Sequence, residues 1–102
     1  MIEINISKGI NVGGHHYPIK CNPKVSEDLD SRGLFGLCKF KSHEILLNEA
    51  QDPSQFSNTF IHETFEAIKD TYVIHISHDD LTAMANGLHQ VLSGLGIRFI
   101  RK

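Results

Sequence analysis

Ile2, Ile4 and Ile6 alternate with Glu3, Asn5 and Ser7, a period of two that predicts a half-buried strand over residues 1–7. Lys8-Gly9 and Gly13-Gly14 punctuate the next stretch, where Ile10, Val12 and Tyr17–Cys21 predict a second extended segment or hairpin ended by Asn22-Pro23. Residues 25–33 are polar and acidic and read as a short helical turn or loop leading to Gly33. Leu34–Phe40 and His43–Asn48 then read as two strands joined by a turn at Lys41-Ser42. Gly36, inside the first of them, marks a bulge or a close approach by another element.

From residue 52 the period changes to that of a helix. Asp52 supplies an N-cap acceptor and Pro53 fits the first helical position, so a helix is predicted over 52–71. Phe56, Phe60, Ala67, Ile68 and Tyr72 line its apolar flank. Tyr72–Ile76 is β-rich but short. Ser77, with Asp80 three residues on, opens a second helix over 77–94. Leu81, Met84, Ala85, Leu88, Val91, Leu92 and Leu95 form its expected core stripe. Gly94 and Gly96 stop it before a brief alternation at Ile97–Ile100. Strands followed by helices predict an α+β fold, a small antiparallel sheet of three to four strands with two amphipathic helices packed on one face. One domain spans residues 1–102, with strands mainly in 1–50.

Composition sharpens this picture by exclusion. With 40% hydrophobic and 22% charged residues the chain has globular composition. Its net charge of −2 and scattered lysines give no basic surface that asks for nucleic acid. No apolar run reaches membrane-span length and no signal-peptide pattern opens the chain, so a cytoplasmic location is expected. Cys21 and Cys38, the only cysteines, are expected to be reduced and buried. Seven histidines are the compositional outlier, and they direct attention to metal chemistry.

Within the first predicted helix, His62, Glu63 and Glu66 form an H-E-x-x-E pattern. Positions i and i+4 share one helix face, so His62 and Glu66 can grip one cation. Glu63 projects about a quarter turn away, where a base can reach a water on that cation. The pattern parallels the zinc-protease signature H-E-x-x-H with glutamate as the second ligand. A surface His–Glu pair at this spacing is also an ordinary weak helix contact.

A catalytic zinc takes three protein ligands, and His75, His78 and His89 are the candidates for the third. Tyr72 stands where an extended signature would place another histidine, which excludes that arrangement. His78 opens the second helix and can fold back over the first. His89 lies further along the same face, about 16 Å away, too far to share the ion. His15-His16, after two glycines, reads as surface loop. Zinc is therefore the expected cofactor, with Glu63 as general base and His75 or Tyr72 as possible oxyanion stabilisers. Ile45, Leu46 and Leu47 are expected on an edge strand that aligns a peptide substrate.

The segment from Glu44 through Leu92 resembles small phage and prophage proteins related to the minimal gluzincin metallopeptidases. The likeness lies in Ile45-Leu46-Leu47-Asn48, in Thr59-Phe60-Ile61-His62-Glu63-Thr64-Phe65-Glu66-Ala67-Ile68, and in Ile76-Ser77-His78-Asp79-Asp80-Leu81 with Leu88-His89-Gln90-Val91-Leu92. It covers about half of the chain. The resemblance implies a zincin-like fold with His62, Glu66 and His78 as metal ligands, Glu63 as base, and hydrolysis of peptide bonds as the activity. Glu66 departs from the better-known pattern; its negative charge makes a bound zinc a weaker Lewis acid. The expected partner is a peptide or protein substrate. The alternative is a non-catalytic interaction module of phage type that docks on a host protein, with a structural metal or none. The sequence sets neither the substrate nor an oligomeric state.

Overall fold

The structure, a computed structural model describing residues 1–102, places the hairpin and both long helices where their periodicities put them. In chain order the elements are β1 (Ile2–Asn5), β2 (Ile10–Val12), β3 (His15–Tyr17), β4 (Ile19–Lys20), α1 (Pro23–Ser31), β5 (Gly36–Lys39), β6 (Glu44–Leu47), α2 (Pro53–Tyr72), α3 (His78–Gly94) and β7 (Ile97–Ile100). The fold is α+β.

The strands do not join into one antiparallel sheet. β1 pairs in parallel with β7, β2 and β3 form a small hairpin, and β4, β6 and β5 make a mixed three-stranded sheet. Gly9, Gly13 and Gly14 all have positive φ, and the turns they make cut the N-terminal strands to a few residues each. β1 is also more exposed than its alternation suggests. Ile2 and Ile4 face solvent, and only Ile6, beyond the strand, is buried.

Of residues 25–33, read as a short helical turn or loop, 25–31 belong to a third helix. Asn22 caps α1 by accepting from the Val25 amide at 2.9 Å, and Pro23 stands in its first turn. Asn22-Pro23 is thus the same start signal as Asp52-Pro53. α1 buries Leu29 and is tied to the end of β6, where Asn48 Nδ2 donates to Asp30 Oδ1 at 2.6 Å. At its end Gly33 (φ 68) turns the chain, and Leu34 N donates back to Leu29 O at 2.9 Å. That turn delivers residues 33–37 to one side of α2.

β6 is the central strand of its sheet, which corrects the edge placement of Ile45, Leu46 and Leu47. Ile45 and Leu46 pair with Ile19 and Lys20 on one side and with Cys38 and Leu37 on the other. The segment after Pro18 covers the edge expected to be free, and Ile45 N donates to Pro18 O at 3.0 Å. All three side chains are buried. The edge strands are β4 and β5.

α2 is the spine of the core. Phe56, Phe60, Ile61 and Ala67 are buried against Tyr17, Ile45 and Leu47. Phe99 of β7 lies 4.9 Å from Phe60, ring to ring, and its amide donates to Ser57 Oγ at 3.0 Å. α3 divides into three faces at 100° per residue. Leu81 and Ala85 are buried and Leu92 packs against the core, but Met84, Leu88, Val91 and Leu95 stand exposed on another side. The expected seven-residue core stripe was wider than the surface α2 and β7 offer to cover it. No helix is long and apolar enough to cross a membrane.

Candidate metal centre

The link between α2 and α3 decides where His78 goes. α2 ends at Val73, whose left-handed backbone (φ 52, ψ 51) turns the chain sharply, and Ile74 N returns to Lys69 O at 3.0 Å. Ser77 then caps α3, accepting from the Asp80 amide at 3.1 Å. This tight reversal sets α3 beside α2 and brings its first residue, His78, over the second half of α2. Tyr72–Ile76, β-rich in composition, forms no strand.

His62, Glu66 and His78 converge. One ligand atom from each lies within 4.8 Å of the others. The rings of His62 and His78 stand 5.4 Å apart, centre to centre, and are inclined at 68°. A tetrahedral zinc with bonds near 2.0–2.1 Å places its ligand atoms about 3.3 Å apart, inside the 4.8 Å within which these three atoms fall. Two further observations fit a cation. Glu66 Oε1 is buried without a hydrogen-bond partner. Burial lowers the His62 pKa below its ordinary value, against the opposing pull of Glu66 and with help from His78, which keeps the ring in its neutral, metal-ready form.

Glu63 adjoins this set from the boundary between the cleft and the core. It is only 8% exposed, and burial, reinforced by the Glu66 carboxylate, pushes its pKa up to about 8 against the Cys38 backbone amide. Gly36 of β5 makes room for it: a Cβ there would stand 2.7 Å from Thr59 Cγ2 and 3.2 Å from Glu63 Oε2. The close approach expected at Gly36 is therefore to the metal-motif helix. Cys38, on the same strand, is held as a neutral thiol. Burial raises its pKa to about 12, with Glu63, Glu66 and Asp70 adding to the effect. Cys21 is likewise buried and unpaired.

His62, Glu66 and His78 open onto a cleft of about 390 Å³. Gln55, Asn58, Thr59, Thr82 and Asn86 extend its helical wall, and residues 33–37 form the other. Sequence reasoning missed Asn58, Thr82 and Asn86, although their signal was present: 58-62-66 and 78-82-86 are both polar ladders at i, i+4 spacing.

The remaining candidates do not reach the site. Tyr72 and His75 are absent from the cleft lining, which corrects their placement as oxyanion stabilisers. Tyr72 points away from the His62 face, its hydroxyl lying near Gly13, and His75 is exposed in the link. His89 sits at the far end of the helix pair, 3.2 Å from Ser54 Oγ. His15 and His16 belong to β3 rather than a loop, and the His15 ring stacks on that of His43 at 4.1 Å.

No protein-family profile matches this chain, and no curated protein or solved structure does so.

Proposed function

We propose that this protein is a zinc-dependent hydrolase of metallopeptidase type, with a zincin-like arrangement of His62, Glu66 and His78 as ligands and Glu63 as general base. The observation that carries this reading is the convergence of two imidazoles and a carboxylate, from two helices, at the floor of an open cleft. Zinc in such a site supplies a Lewis acid and an activated water. In this reading Glu63 would accept a proton from a water in the cleft and return it to the departing amine. Positive charge beside it favours the ionised, base-competent form over the neutral one that burial alone selects. β5, an edge strand whose Gly36 and Leu37 line the cleft, would offer backbone groups to an extended peptide. The likeness of Glu44–Leu92 to the minimal gluzincins and their phage relatives supports the same reading.

Titration of metal-free protein with zinc against a chromophoric chelator tests the centre. One equivalent should bind, and His78→Ala should lose that binding. No stoichiometric binding by the wild type overturns the proposal. Digestion of a peptide library by the zinc-loaded protein then tests the activity.

A second reading, a docking module for another protein, draws on the exposed apolar face formed by Met84, Leu88, Val91 and Leu95. The three-residue ligand set and its opening onto a cleft favour the catalytic reading, because a structural zinc has four protein ligands.

A further inference from the structure

Four large apolar side chains of α3 stand bare. Met84, Leu88, Val91 and Leu95 are 57%, 38%, 58% and 68% exposed. Leu95 continues the helical path, its amide donating to Val91 O at 3.1 Å. The steps of four, three and four residues between them are those of a seam along which one helix packs lengthwise on another. At 100° per residue the four fall within about 60° of one another. The buried stripe of Leu81, Ala85 and Leu92 separates them from the cleft-lining His78, Thr82 and Asn86, so a partner on the seam leaves the cleft open. Gly87 and Gly94 flank the seam, and a Cβ on either would meet nothing within 4 Å, which leaves room for another backbone. No Asp, Glu, Lys or Arg follows Asp80 in α3, so no like charges face one another when the seam meets its own copy.

We propose that this seam is a homodimer interface, in which α3 packs antiparallel on α3 of a second copy about a two-fold axis. The face is complementary to itself. At its start Met84 joins Phe65, Ile68, Ile74, Ile76 and Leu81 around an apolar pocket of about 140 Å³, which Lys69 also lines. At its end, roughly 16 Å along the axis, stands Leu95. The two-fold that sets Leu95 of the second copy level with Met84 also sets Val91 of the second copy level with Leu88. Each Leu95 then reaches the mouth of the other copy's pocket, and symmetry fills both at once. A foreign partner has to bring a knob and a hole at matching spacing, whereas a second copy carries both. The area also suffices. Ile74, 46% exposed beside the pocket, and the four seam residues present roughly 500 Å² per copy, so pairing withdraws roughly 1,000 Å² from water, where specific interfaces begin.

Sedimentation equilibrium of the full chain, from low micromolar to millimolar concentration, tests the proposal. Twice the chain mass is expected at the upper end. Val91→Glu and Leu95→Lys should each raise the dissociation constant at least tenfold with an unchanged circular-dichroism spectrum, while Phe35→Ser, an exposed apolar residue away from α3, should leave it as it is. A chain that stays monomeric throughout overturns the dimer and returns the face to a foreign partner. A dimer that survives both α3 substitutions overturns its assignment to this seam. If Leu95→Lys fails to fold, Val91→Glu decides alone. Cysteine pairing then reads the orientation. Met84→Cys mixed with Leu95→Cys should form a disulfide between the two chains under mild oxidation, and neither variant should do so with itself. Self-linking of each variant without mixed linking overturns the antiparallel register.

Discussion

The two walls of the cleft are built from different materials. The helical wall presents polar side chains from α2 and α3, including the metal-ligand candidates and Glu63. The opposite wall, residues 33–37, presents two glycines, three apolar side chains and the unpaired edge of β5. One wall carries chemistry and the other carries room and backbone. Side chains one helical turn apart can be set at fixed spacings along a rigid rod, whereas a strand edge repeats the same donors and acceptors whatever its sequence. A division of labour follows, in which polar substitutions matter on the first wall and volume matters on the second.

The largest effect is expected at Glu63. Glu63→Gln should retain zinc and lose peptide hydrolysis by roughly 10³-fold, in the range assigned to general-base catalysis. Hydrolysis retained at wild-type rate in that variant would remove Glu63 from the chemistry. His78→Ala comes next, with zinc affinity falling by more than about 100-fold, beyond the usual cost of losing an outer-shell partner. Competition with a chelator measures it, and an unchanged affinity breaks the assignment of the helical wall.

On the other wall, Gly36→Val should cost about 2 kcal/mol in denaturant unfolding, because its Cβ meets Thr59 and Glu63. Phe35→Ser, at a residue 59% exposed, should change stability by less than about 0.5 kcal/mol. Equal effects from the two would dissolve the contrast between volume and exposure on this wall.

Protonation sharpens the comparison from the helical side. The Glu63 pKa is raised from 4.5 to about 8 in the folded chain, so the folded state holds its proton more tightly than the unfolded one. Its contribution is fully present below pH 4.5 and is lost as pH rises through about 8. Metal-free wild type should therefore lose up to about 5 kcal/mol across that window relative to Glu63→Gln. Parallel stability profiles for the two proteins would show that the carboxyl is not buried as described. A smaller effect is expected at Val73. Removing a β-branched side chain from a left-handed position by Val73→Gly should raise stability by about 1 kcal/mol, read as a shift in the thermal midpoint.

Much of this arrangement was legible in the chain. The H-E-x-x-E spacing fixed three of the four central residues, and Ser77 with the short link pointed to His78. The two long helices announced themselves by caps and period, which are local properties. What stayed hidden depended on partners distant in sequence. Strand pairing is such a property: the covering of β6 by residues 18–20 and the parallel union of β1 with β7 leave no local mark. α1 was read only as a short helical turn or loop, because Asn22-Pro23 was taken as a strand terminator and not also as a cap. The seven apolar positions of α3 could not declare which of them α2 and β7 would reach. Tyr72 closes α2 and His75 lies in the exposed link beyond the left-handed turn at Val73, and neither lines the cleft.

The parallel pairing of β1 with β7 has a temporal consequence. Ile2 registers with Ile97, so residues through β7 must be synthesised before β1 finds its mate. Phe99, which follows, is also what covers Phe60, two residues before His62. During translation the helix bearing the candidate ligands therefore emerges with part of its apolar side bare, and the final strand closes it. A ribosome stalled before residue 97 should display a nascent chain that proteases cut within α2, and release of the finished chain should abolish that cleavage.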